Sequence, residues 1–368
     1  MLDIAIVGGG LCGLALAQRL TARRADFGLF EARDRLGGRI LSRRCPVTAI
    51  DFDLGPAWVW PDQPAINELC RSLDLHLEPQ KDDGSVVVLS EADGRPKRLE
   101  HERLHLGAQR IAGGTGELTA ALAQRIPAER IHLSHALVAL TDRGEHVELV
   151  FQTGRTEIVA TARRVVLAMP PRLVEEHVLF APQLSPDLMH AMLATPTWMA
   201  ATAKAVMTYG ERPELRERSG AGNAFVTHEQ ATLAEIFDAS AADGRLALGG
   251  FLALSAKLRR AFRKGLPLLV ANQFAQVFGA GFEDGELAVQ DWAEEARTCA
   301  SQDVLEPLAR DLSHRADPRL SAALWDGRVL LGGSETAADH AGYLEGALIA
   351  ASRLEGQLQA RAETGHYR

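Results

Sequence analysis

The run of apolar side chains at residues 3–8, DIAIVG, closes on glycine, the pattern of a strand buried on both faces of a parallel sheet. Residues 11–24, LCGLALAQRLTARR, repeat apolar positions at three- and four-residue intervals and predict an amphipathic helix. FGLFEA, 27–32, is a second buried run, so the chain opens with a strand–helix–strand unit. Residues 63–74 predict a helix. Within the charged stretch 81–106, VVVLS predicts a strand and GRPKR a turn. AGGTGELTAALAQRI, 112–126, is a glycine turn opening a helix. IHLSHALVAL and HVELVFQ predict a strand pair, and RRVVLAMPP a buried strand stopped by two prolines. Residues 196–300 alternate strands and helices without internal repeat. RVLLGGSET is a third buried strand, and a last helix runs from near Gly342 to about Arg361. No linker or low-complexity segment separates these patterns, so the lobes are interleaved in sequence.

A chain of 368 residues implies two lobes. The mix of 46% apolar and 24% charged residues is that of a soluble globular protein, with few aromatics at 5%. A net charge of −8 argues against nucleic-acid binding, which needs clustered cations. The four cysteines, Cys12, Cys45, Cys70 and Cys299, form no C-x-x-C pair, which fits a reducing cytoplasm. The opening MLDIAIVGGG lacks the features of a signal peptide, and no apolar run reaches the ~20 residues of a membrane span. The tail RAETGHYR (361–368) reads as polar and frayed. The twelve histidines form no H-E-x-x-H pair, so no metal site is expected. No nucleophile elbow and no second dinucleotide fingerprint follow the first.

That first fingerprint is Gly8-Gly9-Gly10-Leu11-Cys12-Gly13, a G-x-G-x-x-G between strand and helix. Gly8 permits the tight turn, Gly10 admits a pyrophosphate, and Gly13 lets helix and strand approach; the helix N-terminus offers its free N–H groups to phosphate. Glu31 ends the second strand, about 20 residues on, where a ribose hydroxyl needs an acceptor. The run Glu31-Ala32-Arg33-Asp34-Arg35-Leu36-Gly37-Gly38-Arg39 then adds a second glycine loop flanked by arginines. Its glycines, Gly38 among them, let backbone pass a second ligand segment, and Arg33 and Arg39 can pair with a diphosphate. A simple NAD site has no need of this loop, which favours FAD.

The E-A-R-D-R-x-G-G-R run resembles the start of the flavin-containing monoamine oxidase family. The resemblance continues through Asp53-Leu54-Gly55-Pro56-Ala57-Trp58, Gly113-Gly114-Thr115-Gly116, Leu137, Ala168-Met169-Pro170-Pro171, Gly333-Ser334-Glu335-Thr336 and Gly342-Tyr343-Leu344-Glu345-Gly346-Ala347. It implies an α/β fold: a discontinuous Rossmann-like FAD-binding domain (1–79, 108–193, 297–368). A smaller interleaved α+β substrate domain (80–107, 195–296) would hold a mixed sheet flanked by helices. It implies noncovalent FAD, with Gly55 and Trp58 beneath the flavin, Leu137 against the adenine, Trp292 beside the flavin and Glu335 at the ribityl chain. The helix start at Leu344 would face flavin O2. It also implies catalytic roles for Lys204, reaching flavin N5 through a water, and for Tyr343, one ring of a two-ring amine cage. Without the resemblance, Lys204 reads as an edge-strand lysine facing water and Tyr343 as a core aromatic.

Two features depart from the family pattern. The helices that normally roof the substrate cavity shrink to residues 81–110, which implies a shallower site or one covered by a second copy or a partner protein. The second cage ring belongs just after Cys299, where Ala300-Ser301-Gln302 stand instead. Cys299 falls near a position that bonds flavin in some members, and reads here as inert. The expected activity is hydride transfer from an amine, small or borne on a larger substrate, with O2 reoxidation to hydrogen peroxide. The alternatives are a dehydrogenase or desaturase of a non-amine substrate, or a flavoprotein subunit needing a partner.

Overall fold

The structure, a computed structural model, describes residues 1–82, 84–305 and 316–364, with side chains to residue 360. Residues 365–368, the end of the tail read as frayed, lie outside the described residues, as do 306–315 within the region assigned to the FAD lobe.

The opening strand, Leu2–Val7, lies between Phe27–Phe30 and Thr156–Leu167, parallel to both. Val329–Leu331 pairs with Thr156–Leu167 in the same direction. Ala136–Asp142 and Val147–Thr153 form the expected antiparallel pair and extend the sheet. The helix Leu11–Ala22 packs on one face with the last helix, Leu344–Thr364, through Leu14, Ala17, Ala350 and Leu354. The register aligns Val7, Phe30, Leu167 and Leu331, so the parallel strands end together. Gly8, Glu31 and Ala168 follow immediately, at the carboxyl edge where open α/β sheets bind ligands.

A second sheet runs Glu286–Asp291, Ala203–Gly210, Leu246–Leu252, Leu233–Asp238, Ala224–Val226, Ser85–Leu89 and Lys97–Glu100. It is mixed: Ser85–Leu89 runs parallel to Ala224–Val226 and the other pairs are antiparallel. The GRPKR turn prediction holds only for its first half, because Lys97 already belongs to the last strand. That strand is exposed throughout and charged at three of its four positions, the composition that keeps an edge from pairing further. Along Ala203–Gly210, Ala203, Ala205, Met207 and Tyr209 pack toward the helix Leu266–Phe278. The alternating Val206 meets Phe52 and Leu54 on the opposite face. Lys204 shares that second face, which looks toward the carboxyl edge of the first sheet.

Candidate active site

A cavity of about 530 Å³ runs between the two sheets, from Gly8 and Glu31 to Trp58, Lys204 and Tyr343. At its phosphate end, Gly8 has φ +111°, and a Cβ there would fall 2.4 Å from the Ala168 carbonyl oxygen. A Cβ on Gly13 would fall 1.9 Å from the Gly8 oxygen, so this residue serves helix–strand packing and does not border the cavity. Gly10 is different. A Cβ there meets nothing within 4 Å, and Gly10 borders the cavity. The helix that begins at Leu11 has no side-chain cap and no acid in its first turn, leaving its N–H groups for an anion. Burial pushes the Cys12 thiol up to about 11, so it is unreactive.

Glu31 is buried, its carboxylate accepting from the Gly9 N–H at 2.6 Å and the Arg33 N–H at 2.9 Å. Those bonds hold an acceptor at the rim without using all its lone pairs. Arg33 donates to Thr298 Oγ1 at 2.7 Å and faces Glu295 at 3.4 Å. The second glycine loop is tied to the first by a Gly37 N–H to Gly9 oxygen bond of 2.8 Å. Arg35, absent from the sequence-derived site, shapes that loop by donating to the carbonyls of Leu36, Gly38 and Ile40. Leu137 borders the same end.

In the middle of the cavity, Arg39 pairs with buried Glu335 at 2.7 Å and donates to the Trp198 carbonyl and Ser334 hydroxyl at 2.9 Å each. Burial acts to raise the Glu335 pKa, but the Arg39 charge and the bonds from Arg39 and Ser334 bring it below the usual carboxylate value. Glu335 therefore does not border the cavity as a ribityl ligand would; Gly333 and Ser334 do, and Glu335 braces Arg39 from behind. The Gly55 segment is fixed by Asp53, which accepts from the Thr115 N–H at 2.9 Å and its hydroxyl at 2.8 Å. This bond is what the Gly113–Gly116 turn delivers, and sequence reading did not connect the two. Trp292 donates to the Leu54 oxygen at 2.9 Å.

Lys204 is 2% exposed on an inner strand with partners on both sides, so the water-facing edge reading is excluded. Its ammonium donates to the Gly55 oxygen at 2.9 Å and lies 5.0–5.7 Å from the rings of Phe237, Phe251 and Trp58. Burial lowers its pKa from 10.5 to about 8, with Asp53 acting in the opposite direction. The sheet register places Lys204 opposite Phe251, and Phe251 opposite Glu235. Glu235 also borders the cavity and lies 3.2 Å from His105 Nε2, while the His105 ring stacks on Trp58 at 4.3 Å. His105 and Leu104 come from the short 81–107 stretch and reach the cavity wall. Neither His105 nor Glu235 stood out in sequence, because only the strand register of Glu235 and the folding of the loop that carries His105 bring them to this face.

Tyr343 is half-buried and borders the cavity; burial raises its phenol pKa, with Asp62 adding to the effect. It does have an aromatic partner: Trp198 stacks on it with centroids 5.5 Å apart and planes 28° apart. Gly342, at φ +88°, makes room, since a Cβ there would fall 2.3 Å from Trp198 Cβ. Tyr343 thus has an aromatic neighbour six residues before Lys204, packed directly against it, while the segment after Cys299 supplies no ring. None of Cys299, Ala300, Ser301 and Gln302 borders the cavity. Asp303, paired with buried Arg172 at 2.7 Å, accepts from the Ala300 N–H and holds that segment in place. Burial pushes the Cys299 thiol up to about 12.

A family model described as flavin containing amine oxidoreductase matches residues 96–354, and one for an NAD(P)-binding Rossmann-like domain matches residues 6–73. The chain belongs to the flavin-containing amine oxidoreductase family. A Mycobacterium tuberculosis protein named as a flavin-containing monoamine oxidase, AofH, is 35% identical over 104 residues, 28% of this chain. That match takes in only 22% of the relative's own length. Amine oxidase [flavin-containing] B of Sus scrofa is 26% identical over 453 positions, covering 95% of this chain and 85% of the relative. The solved structure of cyclohexylamine oxidase from Brevibacterium oxydans IH-35A superposes with a TM-score of 0.80 at 16% identity, covering 98% of this chain and 99% of the other. It therefore shares the fold. The cofactor implied by a Rossmann-like domain in this flavin family is FAD. The open space before Gly10, the uncapped helix start and the two linked glycine loops fit such an elongated diphosphate ligand.

Proposed function

We propose that this family member oxidises an amine with FAD, and that the amine binds on the cavity side lined by the second sheet. The observation that carries this reading is Lys204, a buried ammonium held by the Gly55 carbonyl and enclosed by three aromatic rings where the two sheets meet. FAD held by these residues would supply a two-electron acceptor for the hydride of the amine α C–H, with O2 as the final oxidant and hydrogen peroxide as its product. Gly8, Gly10, Cys12 and Gly13 form the diphosphate turn, and Glu31, Arg33, Gly38, Arg39 and Leu137 the adenosine and diphosphate walls. Gly55, Trp58, Trp292, Leu344 and, indirectly, Glu335 shape the flavin end. Tyr343 with Trp198, and Glu235 held by His105, form the substrate wall. An amine arrives mostly as its ammonium ion, and Glu235 is an anion that can receive it. Lys204, with its pKa near 8, is able to hold or release a proton at neutral to mildly alkaline pH. FAD is held noncovalently, and residues 80–107 with 195–296 act as the substrate domain.

The test is anaerobic mixing of the FAD-loaded protein with primary amines, diamines and amine-bearing peptides. Bleaching of the flavin absorbance by at least one, with peroxide on readmitting air, is the expected result. Bleaching only by a carotenoid-like or dihydro-ring substrate would replace this reading with that of a dehydrogenase or desaturase.

A further inference from the structure

We propose that the pair of helices spanning residues 256–269 is a docking surface for an anionic lipid membrane. The short helix Ala256–Ala261 is inside out: the residue it buries is Arg259, while Leu258 is 44% and Phe262 52% exposed. A helix facing only water would turn the other way, since leucine and phenylalanine gain most from burial. Here Arg259 is locked inward by a bidentate pair with Asp291, at 2.7 and 2.6 Å, and by bonds to the Leu254 and Ala201 carbonyls. The outward display of Leu258 and Phe262 is thereby built in. A tight turn, with Gly265 N–H and Leu266 N–H both donating to the Phe262 oxygen, starts the next helix. That helix adds Leu268 at 65% and Leu269 at 37% exposed.

Charge selects the partner. Residues 244–282 hold six lysines and arginines and no acid, in a chain whose net charge is −8. Arg245 and Arg259 are taken up by Asp243 and Asp291. Arg263 lies 3.3 Å from Glu294 but is largely exposed. Lys257, Arg260 and Lys264 are exposed with no ion pair among the described residues. Cations around projecting leucine and phenylalanine side chains match the headgroup–acyl boundary, where phosphates meet the cations and the apolar groups reach past them. Nucleic acid would use the cations but not the leucines. No helix among the described residues is long and apolar enough to cross a membrane, so the contact is peripheral.

Co-sedimentation of the FAD-loaded protein with vesicles of phosphatidylcholine, with and without phosphatidylglycerol, tests this. Pelleting with phosphatidylglycerol only, weakened by salt, is expected. The K257E/R260E/K264E variant should lose affinity roughly a hundredfold, and L258S/F262S roughly tenfold or more, with flavin absorbance and turnover kept in both. Wild-type protein that stays in the supernatant, or pelleting unchanged in L258S/F262S, would overturn the proposal. A wild-type dimer by light scattering that L258S/F262S converts to monomer would also overturn it, assigning the face to a second copy of the chain.

Discussion

Lys204 has two measurable consequences. Its pKa is about 8 in the fold against 10.5 in water, so between those values the unfolded chain binds more protons than the folded one. Stability of the flavin-free protein should therefore rise with pH from about 8 toward 10.5, by up to about 3 kcal/mol from this group. Urea midpoints at both pH values should show that slope in wild type and not in Lys204→Met, whose flat chain can fill the aromatic box. Steady-state pH profiles of the same pair should lose an ionisation near 8 in the variant. Arg39 gives a different prediction. Removing it in Arg39→Ala strands Glu335, which is 3% exposed, and should cost about 3–5 kcal/mol by denaturant unfolding. The double variant with Glu335→Ala should recover part of that loss. Lys204 and Arg39 were both visible in sequence, but Glu335 was assigned to the ligand when its carboxylate is turned to Arg39. A motif reports which residues are needed and not which atom each one touches.

At the scale of elements, the glycine turn separates folding from binding. Gly10→Ala puts its Cβ where no protein atom lies within 4 Å, so the apoprotein should melt as wild type does while FAD affinity falls by roughly tenfold or more, read by flavin fluorescence titration. Gly13→Ala drives a Cβ into the Gly8 backbone and should lower the apoprotein melting temperature itself. If both variants changed binding alone, the packing role of Gly13 would be wrong. The strand–helix–strand opening was legible because its apolar period is local. The Lys97–Glu100 strand was not, because all its side chains are exposed and only the neighbouring strand Ser85–Leu89 makes it a strand.

For the whole molecule, the packing of one sheet's edge against the other's face makes the cavity, and it keeps Cys299 off the cavity lining. Acid precipitation should leave the yellow colour in the supernatant; colour in the pellet would show a covalent bond. Composition and motif together determined the dinucleotide turn, the FAD preference and the family, because each rests on glycines and charges close in sequence whose backbone needs are strict. Tertiary structure alone decided the rest. It brought Trp198 to Tyr343, His105 to Glu235 and three rings around Lys204, since those contacts join segments tens to hundreds of residues apart through loop packing and strand register, and pattern along a chain carries no record of which distant segments will meet.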